Sequence, residues 1–163
     1  MKRKIIKKFR GEYWFLSNFY PCKITYLAFE FPSVEHAYQA SKTDDMHKIV
    51  KILKAPTAGE AKRLGQKVKL RKDWEEVKRK YMYRFLRRKF RHKELRRKLR
   101  ATGDAKLIEG NNWDDTYWGV CDGVGKNHLG KLLMKLRDKI NAKKRKSKEA
   151  KSEACFKEGV LFS

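Results

Sequence analysis

Cysteine is scarce in this sequence, with only Cys22, Cys121 and Cys155 in a chain of 163 residues. Their number is odd and no two have Cys-x-x-Cys spacing, so neither a disulfide framework nor a zinc ribbon is indicated. No His-Glu-x-x-His motif, no cluster of histidine and cysteine and no recognisable Ser-His-Asp order is present. We therefore predict no metal site and no cofactor.

Long hydrophobic runs and internal repeats are absent as well. No apolar segment of signal-peptide length follows the basic residues 1–8, and no stretch approaches the ~18–20 apolar residues of a membrane span. These absences predict a soluble, cytoplasmic protein with no membrane contact. A chain of 163 residues with 40% hydrophobic residues fits one domain with a real core.

Carboxylates are few: 19 Asp and Glu stand against 43 Lys and Arg, which gives a formal net charge of +24. Residues 62–100 alone hold 19 Lys or Arg and 4 Asp or Glu. Such an excess repels itself, so an anionic partner is expected, either nucleic acid or a phosphorylated small molecule. The charge alone leaves a second explanation open, a basic surface that only confers solubility. Nucleic-acid contacts of this kind would be to phosphates and steeply salt-dependent.

Turn and capping signals predict an α+β, mainly α domain with a small β element. β-prone pieces around Lys23–Leu27 and Ala28–Phe31 favour a short hairpin, and a strand is predicted at Lys106–Glu109. Five helices are predicted from their caps and breakers: Ser33 to about Leu53, Thr57 to near Gly65, Asp73 to about Phe90, about Lys93 to Ala101, and about Asn127 to Ala142.

The predicted domain covers residues 9–142. A basic N-terminal arm, residues 1–8, precedes it, and a basic, lysine-rich tail, residues 143–163, follows it and is expected to be flexible. The last segment, Cys155–Ser163, contains apolar residues, so it either docks on the domain or stays free.

Two of three polar-aromatic clusters lie in the first quarter of the chain. In the aromatic segment Tyr13–Pro21, Asn18 needs hydrogen-bond partners if it is buried, either backbone or a ligand. In the predicted helix after Ser33, Glu35, Gln39 and Lys42 follow i, i+4, i+7 spacing and share one face. A carboxylate in a first helical turn also complements the helix dipole, so a purely structural role for Glu35 stays open.

The third cluster is the segment Gly110–Gly130, which combines carboxylates, large aromatics and glycines. The glycine turn at Gly123–Gly125 precedes the last predicted helix, where backbone N–H groups favour phosphate. It is neither a Walker loop nor a dinucleotide fingerprint, because Asn127 replaces the Ser or Thr of the first and His128 the third glycine of the second. A glycine-rich connection without a ligand is the alternative.

Read together, these clusters resemble the YbiA-like or NADAR family, which contains N-glycosidases. The resemblance covers roughly residues 12–140. The stretches that carry it are Phe15–Pro21, Phe31–Lys42, Ala55–Gly65, Leu70–Lys78, Ala101–Asp104, Leu107–Glu109, Tyr117–Gly119 and Gly125–Met134.

The resemblance implies an enzyme that hydrolyses the bond between ribose C1′ and a nitrogen. By position it implies catalytic roles for Glu35, Asp115 and Trp118. The residues expected on the substrate side are Trp14, Asn18, Gln39, Lys42, Tyr117, Gly125, Lys126 and Asn127.

Two substrate classes are associated with this family: ADP-ribose attached to guanine in nucleic acid, and phosphorylated early intermediates of riboflavin synthesis. Because the family fold by itself does not need a charge of +24, the first is favoured here. A third hypothesis, from another class, is a nucleic-acid-binding module that keeps the pocket but lacks turnover.

Overall fold

The computed structural model describes residues 4–160, with side chains described up to residue 150 except residue 148. The two alternatives for Cys155–Ser163, docking on the domain or staying free, lie outside the described side chains. The elements, in chain order, are β1 (Ile5–Ile6), a 3-10 helix (Gly11–Leu16), β2 (Pro21–Tyr26), β3 (Phe29–Ser33), α1 (Val34–Ala40), α2 (Met46–Leu53), α3 (Ala58–Gly65), α4 (Trp74–Lys89), α5 (Lys93–Ala101), β4 (Lys106–Leu107), β5 (Gly110–Asn111), β6 (Val120–Cys121) and α6 (His128–Val160). The predicted α+β, mainly α class is confirmed.

The β element consists of three two-stranded sheets. β2 and β3 form the predicted antiparallel hairpin, in which Ile24 pairs with Phe31. The hairpin turn uses Leu27 and Ala28, whose φ angles of 48° and 63° fit the twist of paired strands. β1 pairs in parallel with β4, and β5 pairs in parallel with β6. These short parallel pairs join segments that are distant in the sequence.

Helix α1 lies at the centre of the molecule, and all seven of its residues are buried. It packs against the hairpin and against α2, α3 and α4. Ser33 caps it, since the Ser33 hydroxyl accepts a hydrogen bond from the backbone N–H of His36. Its apolar residues, Val34, Ala37 and Ala40, are fully buried, so its polar side chains are carried into the interior with them.

The predicted helix from Ser33 to Leu53 is wrong, because α1 ends at Ala40 and a separate α2 begins at Met46. Two contacts explain the break. The Asp45 carboxylate accepts hydrogen bonds from the N–H groups of His47 and Lys48, which makes it a second N-cap. The Lys42 carbonyl accepts from the Arg71 N–H at 2.8 Å, a tertiary contact that the local sequence does not reveal.

The next helices follow their predicted bounds closely. Thr57 caps α3 as expected, with its hydroxyl accepting from the Glu60 N–H at 3.1 Å. α5 spans Lys93–Ala101 as predicted. The Asp73 cap is wrong in detail, since α4 begins after Asp73 without a side-chain cap. The Asp73 carboxylate accepts hydrogen bonds from the Arg71 guanidinium instead.

Both predicted domain ends are shifted by the structure. Ile6 pairs with Leu107 and is 3% exposed, so the predicted arm of residues 1–8 contributes to the core. α6 continues to Val160, whereas the predicted helix ends near Ala142. Residues 143–158 are rich in Lys, Glu and Ala and contain neither Gly nor Pro, so nothing local stops the helix. The flexibility of this tail stays a prediction.

α6 contacts the domain through its first four turns: Leu129, Leu133 and Leu136 are buried, and Asn141 Oδ1 accepts a hydrogen bond of 3.0 Å from the Arg100 guanidinium. Within residues 4–160, no helix is both long enough and apolar enough to cross a bilayer.

One lysine of α4 has no exposed surface at all. The Lys89 ammonium donates a hydrogen bond of 2.6 Å to the Ser17 carbonyl, and its Nζ lies 5.2 Å from the centre of the Tyr20 ring. Burial lowers the pKa of Lys89 to about 7, which the nearby Cys22 and Glu109 partly oppose. This residue ties α4 to the loop that follows the 3-10 helix.

We expect the buried Lys89 to make stability pH-dependent. In the unfolded chain its pKa returns to about 10.4, so between pH ~7 and ~10.4 the unfolded state binds more protons and the free energy of unfolding rises with pH. The rise is at most roughly 1.4 kcal/mol per pH unit for one proton. Lys89→Met should lack this contribution in urea unfolding at several pH values, whereas the exposed control Lys80→Met should keep it. Equal slopes in both variants would contradict the prediction.

Candidate active site

A central cavity of about 500 Å³ lies between α1, α3, α4, the 3-10 helix with its following loop, and the segment from residue 109 to 118. We call it the central cavity below. Eight of the eleven residues proposed from the sequence line it, namely Trp14, Asn18, Glu35, Gln39, Lys42, Asp115, Tyr117 and Trp118.

Glu35 is the most buried carboxylate of the central cavity, with 6% of its surface exposed. Its Oε1 accepts a hydrogen bond of 2.6 Å from the Gln39 amide, one turn further along α1. Burial raises the pKa of Glu35, while the Gln39 hydrogen bond and the ammonium groups of Lys62 and Lys42 oppose that rise. One oxygen of the Glu35 carboxylate thus has a hydrogen-bond donor in the protein, and cationic side chains lie nearby.

Gln39 is held in place by a glycine of the adjacent helix. A Cβ added to Gly65 would lie 2.1 Å from Gln39 Oε1, so α3 approaches α1 as closely as it does only because residue 65 has no side chain. Gln39 Oε1 is buried and has no hydrogen-bond partner in the protein. The Gln39 side chain therefore has little freedom and an unused acceptor.

The loop after the 3-10 helix presents Asn18 to the central cavity. The Asn18 carbonyl accepts a hydrogen bond of 3.0 Å from the Glu35 N–H, and Lys89 holds the preceding carbonyl of Ser17. The Asn18 side chain is 8% exposed, with Nδ2 3.5 Å from the sulfur of Met82 and Oδ1 without a partner in the protein. The sequence-based expectation that Asn18 needs a further partner therefore applies to this oxygen.

Asp115 and Trp118 form a rigid unit opposite α1. Asp115 Oδ1 accepts a hydrogen bond of 2.8 Å from the Trp118 N–H, and the Asn111 amide oxygen accepts from the Asp115 N–H at 3.1 Å. The Trp118 ring contacts Tyr38 and Tyr117 edge-on, with centroid distances of 5.4 and 5.0 Å. The carboxylate and the indole are thus fixed by local hydrogen bonds and aromatic packing.

Glu109 also lines the central cavity, and sequence reasoning did not assign it a role. Its Oε2 is buried and has no hydrogen-bond partner in the protein. The pKa of Glu109 is raised to about 7, mainly by burial and also by the nearby Asp115 carboxylate, while Arg10 opposes the rise. The sequence signal that could have indicated a role for Glu109 was its position at the end of the matching stretch Leu107–Glu109. Its burial could not be predicted, because the long-range contacts that bury it are not visible in a sequence.

The structure does not bring Gly125, Lys126 and Asn127 into the central cavity; they line a second depression beside it, and their role in substrate binding stays a prediction. Asn127 is buried and acts on the backbone, accepting from the Glu109 N–H at 3.1 Å and donating to the Leu107 carbonyl at 2.9 Å. Gly125 is required by close packing, since a Cβ there would lie 2.2 Å from the Gly119 carbonyl oxygen. Asn127 thereby positions Glu109.

Binding of phosphate by backbone amides of the glycine turn stays a prediction, although two amides that follow Gly125 are bonded within the protein. The N–H of Lys126 donates to the Thr116 carbonyl at 2.7 Å, and that of Asn127 donates to Gly119 at 3.2 Å. These amides are already satisfied within the protein.

Four cationic side chains surround the carboxylates of the central cavity: Arg10, Lys42, Lys62 and Lys78. Lys78 pairs with Glu75, and its Nζ lies 4.1 Å from the centre of the Tyr117 ring. Burial lowers the pKa of Lys42, which Glu35 opposes. The arrangement provides negative charge for a cationic transition state and positive charge for phosphate.

Two exposed indoles lie at the rim of the central cavity. Trp14 is 46% exposed and Trp113 48% exposed, which is unusual for side chains of this size. Lys62 Nζ lies 5.5 Å from the Trp113 ring. Among the side chains described, no three His, Cys, Asp or Glu residues are grouped as a metal site would require.

Known proteins are similar to this chain in sequence and in fold. The N-glycosidase YbiA of Escherichia coli (strain K12) is 40% identical over 137 residues, which are 82% of this chain and 85% of that protein. The NMR structure of E. coli YbiA superposes with a TM-score of 0.79 at 39% identity, covering 88% of this chain and 89% of that one. A riboflavin biosynthesis protein of Vibrio vulnificus, VVA0006, is 41% identical over 130 residues, 77% of this chain but 35% of that longer protein.

These similarities define the class of protein as the N-glycosyl-compound hydrolases. Residues 6–141 match the NADAR domain, and the chain belongs to that family.

We expect Gly65→Ala to reduce turnover of an N-riboside, because the new methyl group displaces Gln39 and with it the hydrogen bond to Glu35. Misplacement of this size costs on the order of 10- to 100-fold in kcat. The matched control is Gly59→Ala on the same helix, where a Cβ meets nothing closer than 3.9 Å. Steady-state kinetics, with circular dichroism to check folding, would refute the prediction if both variants matched the wild type.

Proposed function

We propose that this protein hydrolyses the bond between ribose C1′ and a nucleobase-type nitrogen, and that the reaction takes place in the central cavity. The proposed substrate is ADP-ribose attached to guanine in nucleic acid. The observation that carries the proposal is the convergence of three carboxylates, Glu35, Glu109 and Asp115, on one cavity whose remaining charged side chains are cationic. The carboxylates suit the reacting sugar, and the cations suit the phosphates attached to it.

The carboxylates of Glu35 and Asp115 support the breaking of the C1′–N bond. As that bond breaks, positive charge develops on the ribose ring, and buried negative charge stabilises it more than solvated charge would. In its ionised form Glu35 also accepts a proton from the water whose oxygen forms the new bond to C1′. Gln39 keeps the Glu35 carboxylate in position through its 2.6 Å hydrogen bond.

Glu109 is suited to protonate the departing nitrogen. Its pKa of about 7 leaves a substantial fraction protonated at neutral pH, which a general acid requires. The reaction then balances: the nitrogen leaves with the proton of Glu109, and C1′ receives the oxygen of water, whose proton goes to Glu35.

The aromatic and cationic side chains suit recognition of the rest of the substrate. Trp118 and Tyr117 offer aromatic surfaces to the base or sugar, and Trp14 offers an exposed face at the rim. Lys42 and Lys62 are near enough to Glu35 to influence its pKa, so phosphate held by them would lie close to the reacting sugar.

A second substrate class is favoured by two relatives whose names refer to riboflavin biosynthesis. The Vibrio vulnificus protein is named a riboflavin biosynthesis protein, so a phosphorylated early intermediate of that pathway is the alternative substrate. We favour nucleic acid because the net charge of +24 exceeds the positive charge required to bind a single phosphate group.

The substrate is tested by incubating the protein separately with ADP-ribosylated DNA and with phosphorylated ribosylamino-pyrimidine intermediates, and measuring the released sugar phosphate. We expect release of ADP-ribose at the higher kcat/KM. Preference for the pyrimidine would favour the second candidate. DNA binding without release from either substrate would favour a binding module that lacks turnover.

We expect Glu35→Gln to abolish most turnover while leaving binding intact, because the amide keeps the shape and loses the charge. A loss on the order of 10²- to 10⁴-fold in kcat is typical for such a group. Single-turnover kinetics and ligand titration by fluorescence measure the two effects separately. The exposed Glu12→Gln is the control, and wild-type turnover in Glu35→Gln would contradict the assignment.

The assignment of Glu109 predicts a pH dependence. Because the acid must be protonated, kcat should fall about tenfold per pH unit as pH rises above ~7. Glu109→Gln should have a lower kcat and should lack this descending limb. A pH–rate profile from pH ~5.5 to ~9 measures both, and an unchanged limb in the variant would assign the titration to another group.

A further inference from the structure

A second depression, of about 720 Å³, lies beside the central cavity, and we call it the basic trough. It is formed by the chain around β1, β4 and α6 together with the segment from residue 110 to 127. Its cationic side chains, all exposed, are Lys7, Lys8, Arg10, Lys106, Lys126 and Lys131. Asp122 is the one carboxylate among its described lining residues.

The charge of the basic trough is not neutralised by the protein. None of the ion pairs found among the described side chains, which end at residue 150, involves any of these six cations. A concave surface with six positive charges and one negative charge repels itself and concentrates anions from solution. Ordinary protein surfaces intersperse both signs, so the trough differs from a surface that only confers solubility.

The basic trough is continuous with the central cavity at two places. Arg10 and Gly110 line both depressions. On the other side Tyr117, a residue of the central cavity, lies between two lysines, with Lys78 Nζ at 4.1 Å and Lys126 Nζ at 5.8 Å from its ring centre. A polyanion that crosses from one depression to the other therefore remains next to positive charge.

We propose that the basic trough binds the sugar-phosphate backbone of the nucleic-acid strand whose modified nucleotide occupies the central cavity, an inference that rests on the proposed function. Long, separated Lys and Arg side chains suit phosphates that are spaced along a chain. A single free phosphate would favour converging backbone amides, and three of the amides near the trough, those of Val124, Lys126 and Asn127, are bonded within the protein.

The recessed central cavity also favours a single strand. A base inside a duplex cannot reach a pocket of this kind, so the modified nucleotide must be unstacked. Trp113 is 48% exposed, lines the central cavity and belongs to the loop shared with the trough, so it offers a stacking face to a neighbouring base.

The test measures binding of an unmodified, fluorescein-labelled single-stranded DNA of about 16 nucleotides by anisotropy at several salt concentrations. The trough variant is Lys106→Glu/Lys131→Glu, which leaves the central cavity untouched. The matched control is Lys80→Glu/Lys93→Glu on α4 and α5, with the same charge change at exposed lysines outside both depressions.

We expect the trough variant to bind about 10- to 100-fold more weakly at ~50 mM salt, with the slope of log K against log salt reduced by about 1.4. The control should lose much less affinity. Equal losses in both variants, unchanged binding in the trough variant, or no binding by the wild type would each overturn the proposal. Competition by polyglutamate as effective as that by DNA would overturn the assignment to nucleic acid.

A second readout separates the trough from the proposed function. The ratio of kcat/KM for ADP-ribosylated oligonucleotide to that for the ADP-ribosylated nucleoside should fall at least tenfold in the trough variant. If the wild type binds DNA through the trough but releases no ADP-ribose, the proposed function fails and the trough stands. If ADP-ribose is released and the ratio is unchanged, the trough proposal fails alone.

Discussion

The hydrogen bond between Gln39 and Glu35 is the contact on which the site depends, because it keeps a carboxylate inside the protein at an acceptable cost. An isolated buried charge is strongly unfavourable, and one with a hydrogen-bond donor and nearby cations is tolerated. The hydrophobic burial of α1 carries both side chains inward. Gly65 then allows α3 to close over them. The packing of α1 against α3 therefore forms part of the core and also fixes the geometry of the site.

Around this carboxylate the protein distributes charge unevenly. Glu109 has a pKa near neutrality because it is buried beside another acid. Outside the cavity, the exposed lysines of the basic trough have no acidic partners in the described part of the chain. In contrast to these exposed lysines, Lys89 lies in the interior, where it donates a hydrogen bond to the Ser17 carbonyl.

Local signals predicted most of the helices and the hairpin, because caps and breakers act within a few residues. Thr57 and the bounds of α5 are examples. The break after Ala40 was missed although residues 41–45 are all polar and Asp45 is a local N-cap of α2. The contact from Arg71 to Lys42 adds a tertiary cause that the sequence does not show. Glu109 was missed for a similar reason: nothing in its neighbours along the chain reveals that tertiary contacts bury its carboxyl group.

By itself, the sequence determined the class of fold, the excess of basic charge and the shared helical face of Glu35 and Gln39, since these follow from composition and short spacings. Lys42 was predicted on the same face but follows the end of α1. Only the tertiary structure decided which groups meet. Asn127 is next to the predicted phosphate turn in sequence, yet it bonds to the backbone of Glu109. Long-range packing, which depends on the whole chain at once, sets the burial that raises the pKa values of Glu35 and Glu109.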